Sequence, residues 1–207
     1  MSLAFVGDGA VHIERPIGTL VLVEGDSDAG AVRAIADLIG CDLESHRIQI
    51  TSAHGVTNFA PLLAEFLRAH PGATACGLYD VAEERHVRRA LCHASVAVAD
   101  DASLEPFGFY ACVADLEDEL IRALGTETVE RVIEAQGELA SFRRFQAMPQ
   151  QRDRPAHDQL HRFLGTRATR KIRSAQHLVE ALGVDRLPRP LARMAAMLLD
   201  RASSQRQ

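Results

Sequence analysis

Ile17-Gly18-Thr19-Leu20-Val21-Leu22-Val23 is a short, β-branched apolar run without polar alternation, the pattern of a strand covered on both faces of a sheet. After the acidic turn Glu24-Gly25-Asp26-Ser27-Asp28, apolar Val32, Ile35 and Ile39 recur at helical spacing and Gly40 supplies a stop. The unit repeats. Residues 47–51 predict a second strand, and Asn58 is expected to cap a helix carrying Phe59, Leu62, Leu63, Phe66 and Leu67 on one stripe. Pro71-Gly72 ends it, a third strand over 73–79 closes on Asp80, and a charged helix follows through Glu83, Glu84, Arg88 and Arg89. Residues 107–113 predict a fourth strand, after which Asp115-Leu116-Glu117-Asp118-Glu119 opens a helix with acids in its first turn, where the helix dipole favours them.

Strands alternating with helices over residues 1–125 predict an α/β core with an open parallel sheet. From residue 126 the strand signal is lost, and three or four helical stretches, broken at Pro149, Pro155, Gly165 and Pro188, predict a helical extension over 126–207 packed on the core as one structural unit. The polar tail 203–207 is expected to fray.

The chain of 207 residues is 47% apolar and 25% charged, values that exclude a disordered chain. No apolar run approaches the ~20 residues that cross a bilayer, and the amino terminus lacks the order of a signal peptide, so a cytoplasmic protein without membrane contact is expected. Cys41, Cys76, Cys92 and Cys112 show no CxxC spacing and are expected as buried, reduced thiols. The net charge of -5 argues against coating nucleic acid by bulk electrostatics, and Lys171 is the only lysine in the chain. No GxxxxGK[ST] phosphate loop is present.

In an open parallel sheet the loops leaving the strands' carboxyl ends share one edge, where ligands bind. Glu24, Asp28, Asp80 and Glu117 all follow predicted strands, so four carboxylates should line that rim, with Asp115 able to substitute for Glu117. Such acids suit one or two hard divalent ions, Mg2+ or Mn2+, and with them phosphodiester hydrolysis. Plainer readings stand beside these: Glu24-Gly25 as turn chemistry, Asp80 as a helix cap, the 115–119 acids as dipole partners, and His54 as a loop histidine. His157 and His161 have the i,i+4 spacing of a metal pair but lack an HExxH arrangement.

Val23-Glu24-Gly25-Asp26-Ser27-Asp28 closing the first strand resembles the first TOPRIM motif. Within TOPRIM proteins the chain resembles the OLD (overcoming lysogenization defect) nuclease branch, through the Glu24 to Asp28 spacing, Ala53-His54-Gly55 leading to Asn58-Phe59, and Leu116-Glu117-Asp118. The likeness covers roughly residues 17–125. It implies a Rossmann-like sheet and a metal-dependent DNA endonuclease in which Glu24, Asp80 and Lys171 are catalytic and Glu24, Asp28, Asp80 and Glu117 hold metal. Lys171, among Arg167, Arg170 and Arg173, is the expected phosphate contact. OLD proteins join this domain to an amino-terminal ATPase absent here, so a stand-alone domain with a separate ATPase or other protein partner is expected, and an oligomer is left open. The family's Asp-x-Asp pair departs here to Asp80-Val81-Ala82, so that either Glu83 or Glu84 compensates or the second metal binds poorly, a solvated helix face being the plainer reading of both glutamates. A degenerate module that binds nucleic acid or a protein without cleavage, and an RNA-processing nuclease, are the rival readings.

Overall fold

The computed structural model describes residues 16–204; the amino-terminal reading and the last three residues of the polar tail lie outside them. Four strands, β1 (Thr19–Val23), β2 (Ile48–Ser52), β3 (Thr74–Asp80) and β4 (Phe109–Cys112), form one sheet in the order β2-β1-β3-β4. Every pair is parallel, with Val21 opposite Ile50 on one side and Cys76 on the other. All of β1 is buried, as its unalternated apolar run requires. Its side chains divide by parity: Val21 and Val23 enter one apolar cluster, Leu20 and Leu22 the other.

α1 (Asp26–Leu38) covers the first face, while α2 (Phe59–Ala69) and α3 (Glu84–His93) cover the second through Phe59, Leu63, Val87 and Leu91. The chain thus runs from β1 outward to β2 across one face and returns to β3 and β4 across the other. The reversal falls between β1 and β3.

α4 (Leu116–Leu124), α5 (Thr126–Ala135), α6 (Leu139–Gln146), α7 (Ala156–Leu164), α8 (Ala168–Leu182) and α9 (Arg189–Ser204) join the α1 side. Gly30 of α1 faces α8, where a Cβ would make ordinary van der Waals contact with the Ile172 carbonyl oxygen at 3.6 Å. Leu178, Val179, Leu191 and Met194 share one buried cluster with Val21 and Val23.

Five helices follow residue 125 among the described residues, where three or four were expected. Gly137, at φ 73°, ends α5 inside a stretch without proline and splits it into α5 and α6. Asn58 occupies the N-cap position of α2, at the end of a 3-10 turn (Val56–Asn58), but makes no side-chain capping bond: its Nδ2 donates to the Ala53 carbonyl at 2.8 Å, tying the turn to the end of β2. Cys41, Cys76 and Cys112 are buried thiols, but Cys92 is exposed because it falls on the outer side of α3; all four are free.

Candidate metal centre

At the reversal between β1 and β3, two strand ends deliver acids side by side. Glu24 follows β1 directly. The Ala53 N–H donates to the Val23 carbonyl at 2.8 Å and the Gly55 N–H to the Glu24 carbonyl at 3.0 Å, so backbone pairing continues past β1 and fixes the Glu24 main chain. His54, between them, adopts φ 50° and stands on the rim, 74% exposed. Asp28, in the first turn of α1, accepts the Gly25 N–H on Oδ2 at 2.9 Å, which orients its carboxylate across the turn. Asp80 ends β3 and precedes a 3-10 turn (Val81–Glu83) without capping it by its side chain, so its carboxylate is not spent on the helix start.

The helical side closes the site. Asp115 caps α4 by accepting the Asp118 N–H on Oδ1 at 2.8 Å, and its Oδ2 lies 2.7 Å from His161 Nε2 on α7. Glu117, with 3% of its side chain exposed, has Oε2 at 3.3 Å from Lys171 Nζ on α8, whereas its buried Oε1 has no hydrogen-bond partner. Glu24, Asp28, Asp80, Glu117 and Lys171 therefore line one cleft of about 220 Å³, together with Gly25, His54, Gly55 and Asp115. A larger hollow of about 370 Å³ lies at the opposite edge of the sheet, near Thr19, Thr74 and Phe109, and contains none of these residues.

Five carboxylates face one ammonium group here, and their proton affinities show the strain. Burial, repulsion from Glu117 and a smaller one from Glu24 push Asp28 up to about 7 against the opposing Gly25 N–H and Lys171. Asp80 is also pushed up to about 7, by burial and then by Glu24, Asp28, Asp115 and Glu117. Burial raises Glu117 despite Lys171. Burial acts upward on Asp115 too, but the His161 and Asp118 bonds outweigh it and hold that group below the usual range. Lys171 stays firmly protonated: burial is offset by Glu117 and Asp28.

Several expectations need correction. Arg170 is not part of an open basic group around Lys171: it is buried, pairs with Glu138, and lies with its guanidinium 4.0 Å from the centre of the Phe163 ring. Only the exposed Arg167 and Arg173 remain as basic neighbours of Lys171. Glu83 and Glu84 do not compensate for Ala82; they pair with His86 and Arg88 on α3 and do not line the cleft. His157 and His161 meet acids of α4, which their spacing alone does not show.

The donor set fits a hard divalent ion. Its five carboxylates offer oxygen, they carry more negative charge than Lys171 neutralises, and Glu117 Oε1 is a buried acceptor left unsatisfied. Among the described residues, no three His, Cys, Asp or Glu side chains stand together as a ready-made metal cage.

The parallel α/β sheet with its acidic switch point is similar to the TOPRIM fold. Residues 18–77 match the family described as Overcoming lysogenization defect protein-like, TOPRIM domain, a stretch that includes Glu24 and Asp28 and ends before Asp80. The fold is similar to the C-terminal region of the Burkholderia pseudomallei OLD protein, at 21% identity and a TM-score of 0.63 over 91% of this chain and 99% of that one. It is also similar to the C-terminal region of the Xanthomonas campestris pv. campestris OLD protein, at 22% identity and a TM-score of 0.66 over 91% and 95%. No curated protein matches the sequence. No helix among the described residues is long and apolar enough to cross a membrane.

Proposed function

We propose that the chain is a divalent-metal-dependent phosphodiesterase of nucleic acid, an OLD-like endonuclease acting on DNA with Mg2+ or Mn2+. The observation that carries this reading is the convergence of Glu24, Asp28, Asp80 and Glu117, from β1, α1, β3 and α4, on one cleft with Lys171 of α8. Glu24, Asp28, Asp80 and Glu117 hold the ion or ions, with Asp115 beside them. A bound divalent ion supplies charge neutralisation for the phosphodiester and eases loss of a proton from water. Asp28 and Asp80, which retain protons near neutrality, give them up on loading. Lys171, 42% exposed while its Glu117 partner is enclosed, turns its ammonium from Glu117 toward a non-bridging phosphate oxygen. The exposed Arg167 and Arg173 give the flanking backbone a positive approach.

One observation favours a second reading: the lack of a closed cage among the described residues, with Ala82 exposed beside Asp80, suits a module that binds nucleic acid or a protein without cutting. An RNA substrate would use the same centre. The test is nicking of supercoiled plasmid, and cleavage of single-stranded RNA, in Mg2+ and in Mn2+ with a chelator control. Metal-dependent nicking is expected, falling at least ~100-fold in Glu24→Gln. A folded wild type that cuts neither substrate supports the binding module, and cutting confined to RNA changes the substrate.

A further inference from the structure

The histidine pair on α7 faces α4. His161 Nε2 lies 2.7 Å from Asp115 Oδ2, and His157 Nε2 lies 3.2 Å from Asp118 Oδ1. The i,i+4 step on one helix thus meets an i,i+3 step on the other, over an apolar seam in which Leu160, Phe163 and Leu164 share a cluster with Leu116 and Leu120. Asp115 and Asp118 are themselves joined through the capping bond of 2.8 Å. These contacts bear on the cleft directly. Asp115 lines it, and Glu117, with its unpartnered Oε1, is presented from the same helical turn. Hydrogen bonds to both oxygens of Asp115 stop the carboxylate from rotating, and each oxygen keeps a further lone pair.

We propose that α7 is a clamp on the metal centre, in which His161 is a positioning residue that holds Asp115 as a fifth oxygen donor and sets the α4 turn bearing Glu117. This inference rests on the metal-centre reading above. Asp115 is the fifth carboxylate of the cleft, whereas Glu83 and Glu84 are engaged on α3 and Ala82 has no carboxylate. Carboxylate ligands are commonly held by such outer bonds, and loss of the outer partner costs about 10–100-fold in metal affinity.

The test is calorimetric titration of the full chain with Mn2+, alongside metal-free melting, for wild type, His161→Ala, His161→Gln, Asp115→Asn and the Ala/Asn double variant. His161→Ala is expected to weaken Mn2+ binding about 10-fold or more, and His161→Gln to restore most of it, since its amide N–H reaches the position of Nε2. Asp115→Asn keeps the helix cap and should weaken binding similarly, with the double variant no worse than the weaker single one. A lower melting temperature in His161→Ala with unchanged Mn2+ affinity assigns the pair a purely structural role and overturns the clamp alone. Should His161→Ala not fold, Asp115→Asn decides: wild-type affinity overturns the proposal and a 10-fold loss with an intact His161→Gln supports it. A folded wild type that binds no Mn2+ overturns the metal centre and the clamp together.

Discussion

A carboxyl group buried among other acids keeps its proton to higher pH in the folded chain than in the unfolded one. Asp28 and Asp80 are both pushed up to about 7 from the ordinary 3.8, so between those values the folded state binds more protons. Their contribution is most favourable below about pH 4 and is lost as pH rises through about 7. His161, raised chiefly by its bond to Asp115, adds a loss of the same sign as pH rises through its folded pKa, whereas the lowered Asp115 acts oppositely only around and below pH 4. In the presence of a chelator the melting temperature is therefore expected to fall from pH 5 to pH 8, and a flat or rising profile would contradict the crowded-carboxylate account. Asp80→Asn should raise metal-free stability at pH 8 by about 1 kcal/mol, read from denaturant melts, while abolishing metal-dependent cutting. Mg2+ should raise the melting temperature more at pH 8 than at pH 5, because its ligands must be deprotonated. Glu24 and Asp80 were legible as acids at strand ends, and Asp28 as an acid of the turn that follows β1. The partner of His161 was not, because Asp115 lies 46 positions away and only helix packing joins them.

Elements were legible where a run of like residues meets a strong stop. β1 and α1 follow from the apolar run and the acidic turn, whereas the break between α5 and α6 depends on a glycine set among good helix formers. Gly77, in the middle of β3, has a role that its surroundings reveal: a Cβ there would come within 2.1 Å of the Leu22 carbonyl oxygen and 3.1 Å of the Phe109 ring. Since the obstacle is backbone of the central strand, it cannot turn aside. Gly77→Ala is expected to cost about 3 kcal/mol, measured by urea unfolding, and to disturb Asp80, three residues further along the same strand. An unchanged midpoint would show that β1 and β3 can separate without penalty.

Over the whole molecule, the division at residue 125 marks a change of sequence pattern and does not mark a physical seam. The face of β1 formed by Val21 and Val23, together with α1, shares its buried cluster with Leu178, Val179, Leu191 and Met194. A chain ending at residue 125 would expose that face to water, so it is expected to be aggregated or molten, with no dispersed side-chain signals by NMR; a cooperative melt of this fragment would refute the shared core. A milder test is Leu178→Ala, which removes a fully buried side chain at the α8 seam and should cost about 3 kcal/mol in urea unfolding. α8 also carries Lys171 into the cleft, which makes the extension part of the candidate centre as well as of the core.

The sequence by itself determined the strand-helix alternation, the parallel character of the sheet and the three acids at or just after strand ends, because these depend on local periodicity and on the common edge that parallel strands create. It also singled out Glu117 and Lys171. Tertiary structure alone decided that these two meet at 3.3 Å, that Arg170 is committed to Glu138, and that two histidines resembling a metal pair face acids of α4. Those outcomes depend on how the helices after residue 125 pack on α1 and α4, and such packing joins residues far apart in the chain that no local pattern links.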